Sequence, residues 1–485
     1  MSGGGKTPAA QTLQDLLAEN YFVAQTPVGE PFAVALGAPN VMIRMNGSGG
    51  LRQRLLTDYV TRTGTVPPAQ SLADVLAFAE AMAHRGRVTT PHLRIAPHAG
   101  AVYLDLGRRD GQAVEISMSG WRVVQRPPVL FARTPMTGEL PLPAESGSMD
   151  EARSLLNIAG ADQWALYVAC RVASLIPGIT HPVELLTGQP GSAKTSATRI
   201  TSGWIDPSPV MVPVPRDGRS WATMAASAYV VPVDNVSSIP SWWSDLLCKA
   251  ASGDGWIDRA LYTDGDVYLS AFQSVIVING IDLGVVRGDL ADRSVVHELI
   301  RPGRYFTDDD VSAMWQTAHP AALAWLLDRS VEIMRDMAHW PVAGTDRLAR
   351  FEHVVSSVDR LWRTNATGCW RDGKLSMYED VADGDAVAVA IRSVIKGRWE
   401  GTSADLLTLL EYSGSLTLPQ PGRSWTPRLL SERVTRMTGA LRSLGWTVER
   451  LRDTGHSRSR KIILIPPGQG NLAETNGHRK LPAGN

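Results

Sequence analysis

The sequence predicts an α/β layered core over residues 149–340, with an α+β domain before it at 21–140 and a mostly helical region after it that ends in strands. Three observations lead there. Across 149–340, short apolar runs ("PVELLT", "AYVVPV", "SVIVIN") alternate with longer amphipathic stretches, the pattern of strands layered between helices. Before it, alternating segments ("AVYLDLG", "AVEISMSGWRVV") accompany one helical stretch, "SLADVLAFAEAMAHRG". After it, "SERVTRMTGALRSLG" has a Ser N-cap, a helical period and a Gly stop, and two strands around a basic turn follow.

With 485 residues the chain exceeds one typical core, so two to four domains are expected. The pieces read, in order, as a tail with a short helix (1–20), the α+β domain (21–140), the α/β core (149–340), a helical segment (341–400), a C-terminal domain (401–466) and a disordered Gly/Asn/Pro-rich tail (467–485). The Pro- and Gly-rich "RTPMTGELPLPAESGS" reads as a linker between the first two domains. Apolar residues make up 44%, charged residues 20%, and the formal net charge is zero, so any nucleic-acid surface must be local. Three separated cysteines form neither a disulfide nor a zinc framework. The start "MSGGGKTPAAQ" lacks the apolar stretch of a secretion signal, and Arg171 interrupts "WALYVACRVASLIPG"; no membrane association and a cytoplasmic location are expected.

The core contains "VELLTGQPGSAKTSATRI" at 183–200, a strand, a Gly-rich loop and a helix in the order that a phosphate-binding loop requires. Gly188, Gln189, Pro190, Gly191, Ser192, Ala193, Lys194, Thr195 and Ser196 would wrap the phosphates of ATP with backbone N–H groups and the helix N-terminus. Lys194 would reach the terminal phosphates, and the Thr195 hydroxyl would hold Mg²⁺. Ala193 stands where Gly is usual, which is tolerable if its φ stays negative. "GGGKT" at 3–7 shares the Gly-Lys-Thr but has no strand before it, so it reads as tail.

Asp234 ends an apolar strand, the place of a second Mg²⁺ partner. Asn235 follows where a Glu would act as base; an amide orients water but cannot take a proton, so hydrolysis is slow or another carboxylate such as Asp217 helps. Asn279 ends the strand "SVIVIN", in reach of a γ-phosphate or attacking water. Arg293, at the start of the next strand, suits either an arginine finger acting on a neighbouring subunit or a surface pair with Asp292. Trp242 and Trp243 suit stacking on bases or on an adjacent subunit, or burial of at least one in the core, and Arg347 suits either nucleotide sensing or solvent.

Residues 421–461 carry ten Arg/Lys against three Asp/Glu. With the helix "TSADLLTLLEYS" before them they outline a winged-helix domain for DNA. Arg433, Arg436 and Arg442 lie along its second helix, and Arg452, Arg458, Arg460 and Lys461 line the wing; they suit either phosphate contacts, which position the domain without showing that it reads sequence, or a solvated or protein-binding surface.

Phosphate loop, Asp-ended strand, Gly-Asp-Gly segment, Asn-ended strand and late Arg resemble the order of AAA+ and superfamily 3 helicases. "SDLLCKAASGDGWIDRALYTDGDVYLSAFQSVIVING" is similar to poxvirus- and phage-type primase-helicases. Over about residues 15–466, "GEPFAV", "GSAK", "DNVSSIP", "ALYTD" and "GDLADR" resemble ATP-binding proteins of actinobacterial genomes and their mobile elements. The resemblance implies an AAA+-type ATPase core that forms a homo-oligomer, expected as a hexameric ring. A hairpin turning at Asp264-Gly265 would face the ring's channel, with Arg259 either on a phosphate or in solvent. The expected function is an ATP-driven DNA helicase or translocase. Its alternative is a nucleotide-gated DNA-binding regulator or defence ATPase; primase activity is not expected, for want of an acidic primase motif in 21–140.

Overall fold

The computed structural model describes residues 8–37, 39–253, 256–259, 267–270, 273–280, 286–341, 348–417, 424–452 and 460–468. The Asp264-Gly265 turn, Arg347, Arg458 and "GGGKT" lie outside them. The chain forms two units. One comprises Met1–Ser237, Asp245–Asp282 and Val296–Cys369, the other Ser238–Ser244, Leu283–Val295 and Trp370–Asn485.

The first unit begins with α1 (Ala9–Asn20), β1 (Tyr21–Gln25), β2 (Pro31–Ala35), β3 (Ile43–Arg44), α2 (Leu51–Thr63) and α3 (Ala69–Arg85). Leu13, Leu16 and Leu17 share one face of α1 by their three- and four-residue spacing, and they join Leu51, Leu55, Leu72, Val75 and Leu76 in one core. Then β4 (Ile95–His98), β5 (Ala101–Asp105), β6 (Ala113–Ser117) and β7 (Gly120–Val124) form an antiparallel meander.

Residues 133–148 are not a free linker. Gly138 N donates to Pro207 O (2.8 Å), Leu140 N to Leu106 O (2.8 Å), Ala144 N to Pro320 O (3.0 Å) and Ser148 N to Ala321 O (3.1 Å), and Leu140 is buried. Composition suggested flexibility, but an irregular backbone bonded along its length is a strap. Arg94 fixes it from the meander side. Its guanidinium donates to Gly138 O (2.9 Å), Asp105 O (2.9 Å) and the buried Asp206 carboxylate (2.8 Å). The other Asp206 oxygen accepts from Tyr229 N (2.8 Å) and Val230 N (2.9 Å).

The layered region continues with α4 (Asp150–Ser154), α5 (Ala161–Ala173), β8 (Val183–Gly188), α6 (Lys194–Gly203), α7 (Gly218–Ala225), β9 (Val230–Val233), α8 (Ser241–Ser252), β10 (Trp256–Arg259), β11 (Val267–Ser270), β12 (Val275–Asn279), α9 (Gly288–Ala291) and β13 (Ser294–Leu299). The sheet order is β13-β8-β12-β9, with β12 parallel to both β8 and β9. The runs "VELL" and "VIVI" are wholly buried, as parallel strands covered on both faces must be. β10 and β11 pair antiparallel. Long α10 (Asp308–His339) starts on a Thr307/Asp310 capping box, and α11 (Ala349–Trp362) and α12 (Ala366–Asp383) follow.

Arg171 does interrupt an apolar helix, yet it is fully buried. It pairs with Glu184 of β8, donates to Thr201 O (2.8 Å), and Glu184 also meets His297 Nε2 of β13 at 3.3 Å.

In the second unit, α13 (Ala386–Val394), β14 (Trp399–Thr402), α14 (Ser403–Tyr412), α15 (Pro427–Ser443), β15 (Thr447–Arg452) and β16 (Arg460–Ile465) complete the chain. The sheet is β14-β16-β15, three strands where sequence suggested a pair; "WEGT" is too short, and with its glycine too weak in strand propensity, to stand out. No helix among the described residues is long and apolar enough to cross a membrane.

Candidate nucleotide site

The site grows from the register of three adjacent strands. β8 ends at Gly188, whose φ of 150° and surroundings exclude a side chain: a Cβ would lie 2.5 Å from Leu299 O and 2.7 Å from Ser192 Oγ. Gly191 turns the loop at φ 83° beneath Tyr305, whose hydroxyl would stand 3.1 Å from a Cβ there. Ala193 enters α6 at φ 59°, ψ 36°. The expectation of a negative φ is therefore overturned: the loop closes through the left-handed region, where Gly is usual because it has no Cβ to crowd.

Lys194 lies across the loop it anchors. Its Nζ donates to Gly188 O (2.8 Å), Gln189 O (3.0 Å) and Ser192 Oγ (3.4 Å), and burial lowers its pKa from the usual lysine value. Asn157 Nδ2 reaches Ser192 O at 3.4 Å. Thr195, one residue into α6, donates through Oγ1 to Asp234 Oδ1 (3.2 Å). Ser196 is half-buried on the same turn, and Gln189 and Pro190 form the exposed lip.

The pairing of Ile278 with Val233 sets Asn279 level with Asp234. Buried Asn279 is the hub. Its Nδ2 donates to Asp234 Oδ1 (2.7 Å) and Thr198 Oγ1 (2.8 Å), while its Oδ1 accepts from Asn235 N (3.0 Å). Thr195 of α6 and Asn279 of β12 thus both donate to one carboxylate oxygen, Asp234 Oδ1. Sequence placed Asn279 at a strand end, but its grip on Asp234 needed the strand order. Asn235 itself is exposed at φ 57°, a conformation Asn tolerates better than Glu, which gives the residue at this position a backbone reason.

Asp217, expected as a substitute carboxylate, caps α7 instead. Its Oδ1 accepts from Ser220 N (2.7 Å), and that bond to Ser220 foremost holds its pKa low. Trp243 is core, whereas Trp242 is exposed. Arg293 donates through Nη1 to Asp289 O (3.0 Å). Arg259 falls on β10 and Arg452 ends β15.

The predicted DNA-contact residues divide by partner. Arg433 is engaged by buried Asp385, which also caps α13 through Val387 N and Ala388 N. Arg442 donates to Val448 O (2.5 Å), and Lys461 pairs with Glu400 (3.1 Å). Arg436 and Arg460 are exposed.

Cys170, Glu184 and His297 place three possible metal donors within 4.8 Å. The set does not suit a cation. Arg171 already neutralises Glu184, and burial drives the Cys170 thiol up to about 12, far from the thiolate a metal needs. Thr195 and Asp234 fit Mg²⁺ better, as an oxygen pair beside a Gly-lined loop.

Among solved structures, the chain is similar to an SCCmec type IV Cch active helicase (10% identity, TM-score 0.45, covering 92% of this chain and 93% of that one). It is also similar to the apo NrS-1 C-terminal region (11%, TM-score 0.43, 96% and 100%) and to a full-length MCM homolog from Methanopyrus kandleri (12%, TM-score 0.28, 90% and 95%). No curated protein matches it. Residues 149–380 match the family model of the actinomycete integrative conjugative element replication protein, and residues 387–475 match the model of the RepA C-terminal domain of the same elements. These two successive matches begin just before α4 and end beyond β16, and across them the chain belongs to the replication proteins of actinomycete integrative conjugative elements.

Proposed function

We propose that this replication protein is an oligomeric, ATP-hydrolysing DNA helicase or translocase with an AAA+-type core. The observation that carries the reading is the Thr195–Asp234–Asn279 constellation beside the Lys194 loop. The strand order supports it, because the Asn-ended strand lies between the loop strand and the Asp-ended strand. Thr195 and Asp234 would hold Mg²⁺, which when bound supplies charge neutralisation at the β- and γ-phosphates. The loop amides and α6 N-terminus bind the phosphates, and Lys194 leaves its loop carbonyls to meet them. Asn279 holds the Asp234 carboxylate in place and keeps Asn235 at the mouth, where its amide orients water. Arg293 acts on the site of a neighbouring copy. α14, α15 and the β14–β16 sheet form a winged helix, with exposed Arg436 and Arg460 as its phosphate contacts.

Purified protein should hydrolyse ATP and displace a DNA strand, and Lys194→Ala should abolish both while leaving the fold intact. Parental turnover in Lys194→Ala would remove the site assignment. A second reading has a specific observation behind it: exposed Asn235 beside Asp234 is no general base. Nucleotide binding and ATP-dependent DNA binding without strand displacement would favour a nucleotide-gated switch over a motor.

A further inference from the structure

Arg293 lies in a segment that sequence places between two strands of the core sheet. The fold assigns that segment elsewhere: Leu283–Val295 belongs to the same compact unit as Trp370–Asn485. Both neighbours of Arg293 are held by α12. The Tyr378 hydroxyl donates to the Asp292 carboxylate, and Trp370 Nε1 donates to Ser294 O at 3.1 Å in a buried contact. A Cβ on Gly288 would lie 3.7 Å from the Tyr378 ring, so the start of α9 also rests on that residue. Trp370, Lys374 and Tyr378 recur every four residues and form one stripe of the helix, with Lys374 Nζ 4.1 Å from the Trp370 ring centre. On another side α9 packs against α15. Arg293 is therefore anchored at the residue before and the residue after by the C-terminal unit, while its own side chain remains part-exposed.

We propose that Tyr378 and Trp370 are positioning residues for Arg293, so that the C-terminal unit sets the geometry with which one copy of the chain promotes ATP hydrolysis in the next. This rests on the reading of Arg293 as acting across a subunit boundary. A backbone held at two successive positions fixes where a long side chain can reach, and a misplacement of about 1 Å in a catalytic array costs up to about a hundredfold in rate.

The test is a double-mutant cycle in the full-length protein, read as steady-state ATP turnover with nucleotide affinity measured in parallel. Tyr378→Phe removes one hydroxyl, and Trp370→Phe removes the N–H together with part of the buried indole, each keeping an aromatic ring. Each should lower kcat roughly tenfold with KM for ATP unchanged, because neither touches the nucleotide. Asp292→Asn, which keeps an acceptor for the Tyr378 hydroxyl, should stay near the parent, and Asp292→Ala should fall with Tyr378→Phe. In an Arg293→Ala background, Tyr378→Phe should cost nothing more. A parent without turnover, or an Arg293→Ala protein with parental turnover, overturns the underlying reading and this proposal with it. An impaired Arg293→Ala beside parental Tyr378→Phe and Trp370→Phe overturns this proposal alone. So does a Tyr378→Phe loss that persists unchanged in the Arg293→Ala background, since the effect would then not pass through Arg293.

Discussion

At the scale of single residues, the loop between β8 and α6 carries a measurable tension. Ala193 occupies the left-handed region at φ 59°, where a Cβ costs about 1 kcal/mol or more. Ala193→Gly should therefore raise the denaturation midpoint, by up to about 1 kcal/mol after the added freedom of the unfolded chain is offset. A lower midpoint would show that the methyl group packs to advantage. Asn279 has the opposite character, since every polar atom of its side chain is committed. Asn279→Ala would free Asp234 to rotate, so kcat should fall about tenfold or more with a smaller change in nucleotide affinity. An equal loss in affinity and turnover would mean that Asn279 serves only to build the loop.

Among elements, the strap at 133–148 and the C-terminal helix α15 change how the chain can be dissected. Arg94 and Asp206 are a buried pair that ties the meander and the strap to the first residue of β9, the strand leading to Asp234. Arg94→Met leaves a buried carboxylate with backbone donors alone and should cost about 3–5 kcal/mol in denaturant unfolding. Asp206→Asn in the same chain, which removes the charge and keeps an acceptor for Tyr229 N and Val230 N, should recover part of it, and additive losses would show that the two residues act separately. On α15 and the β15–β16 strands, the side-chain partners separate the arginines that are free to be tested against DNA. Arg433 is held by Asp385, so Arg436→Glu and Arg460→Glu are the informative changes. If both grip phosphate, the double variant should flatten the slope of log affinity against log salt by about 2. Superimposable curves at every salt concentration would remove α15 and the β15–β16 strands from the proposed DNA-binding surface.

For the whole molecule, three histidines make folding sensitive to acid. Burial lowers His181 to about 4, His297 to about 3 and His319 to about 4, from an ordinary 6.5. Below 6.5 the unfolded chain takes up protons that the folded chain refuses. Stability should therefore fall as pH drops from about 6.5 toward 4, by up to about 1.4 kcal/mol per pH unit per histidine, and it gains nothing further above that window. His319 Nε2 lies 3.2 Å from Trp204 O, a bond that a glutamine amide can replace. His319→Gln should flatten the pH dependence of the unfolding midpoint by about a third. An unchanged slope would mean that His319 is protonated in the folded state. Assembly is tested by mixing: Arg293→Ala, which should retain only poor turnover, and Lys194→Ala, which should have none, should partly restore turnover in mixed oligomers if Arg293 acts on a neighbour. Verified mixed oligomers without recovery would confine Arg293 to its own chain.

Much of the local secondary structure was legible in the residue order. β8, the Gly-rich "GQPGSAKT" turn and α6 follow one another as the sequence predicts, because their glycines, lysine and helix start are read over a dozen consecutive residues. The apolar runs likewise announced β8, β9 and β12, since strands covered on both faces cannot hide their composition. Long-range pairing was not legible. Nothing near Asn279 in sequence says that it will hold Asp234, 45 residues away; the order of parallel strands decides that. Nor does "RTPMTGELPLPAESGS" show that its backbone groups find partners on distant segments, or Arg433 that a buried Asp385 claims it. The segment around Arg293 is the clearest case. Its neighbours along the chain are strands of the core sheet, but its hydrogen-bond partners are Trp370 and Tyr378, because buried donors must find acceptors in space whatever their separation along the chain.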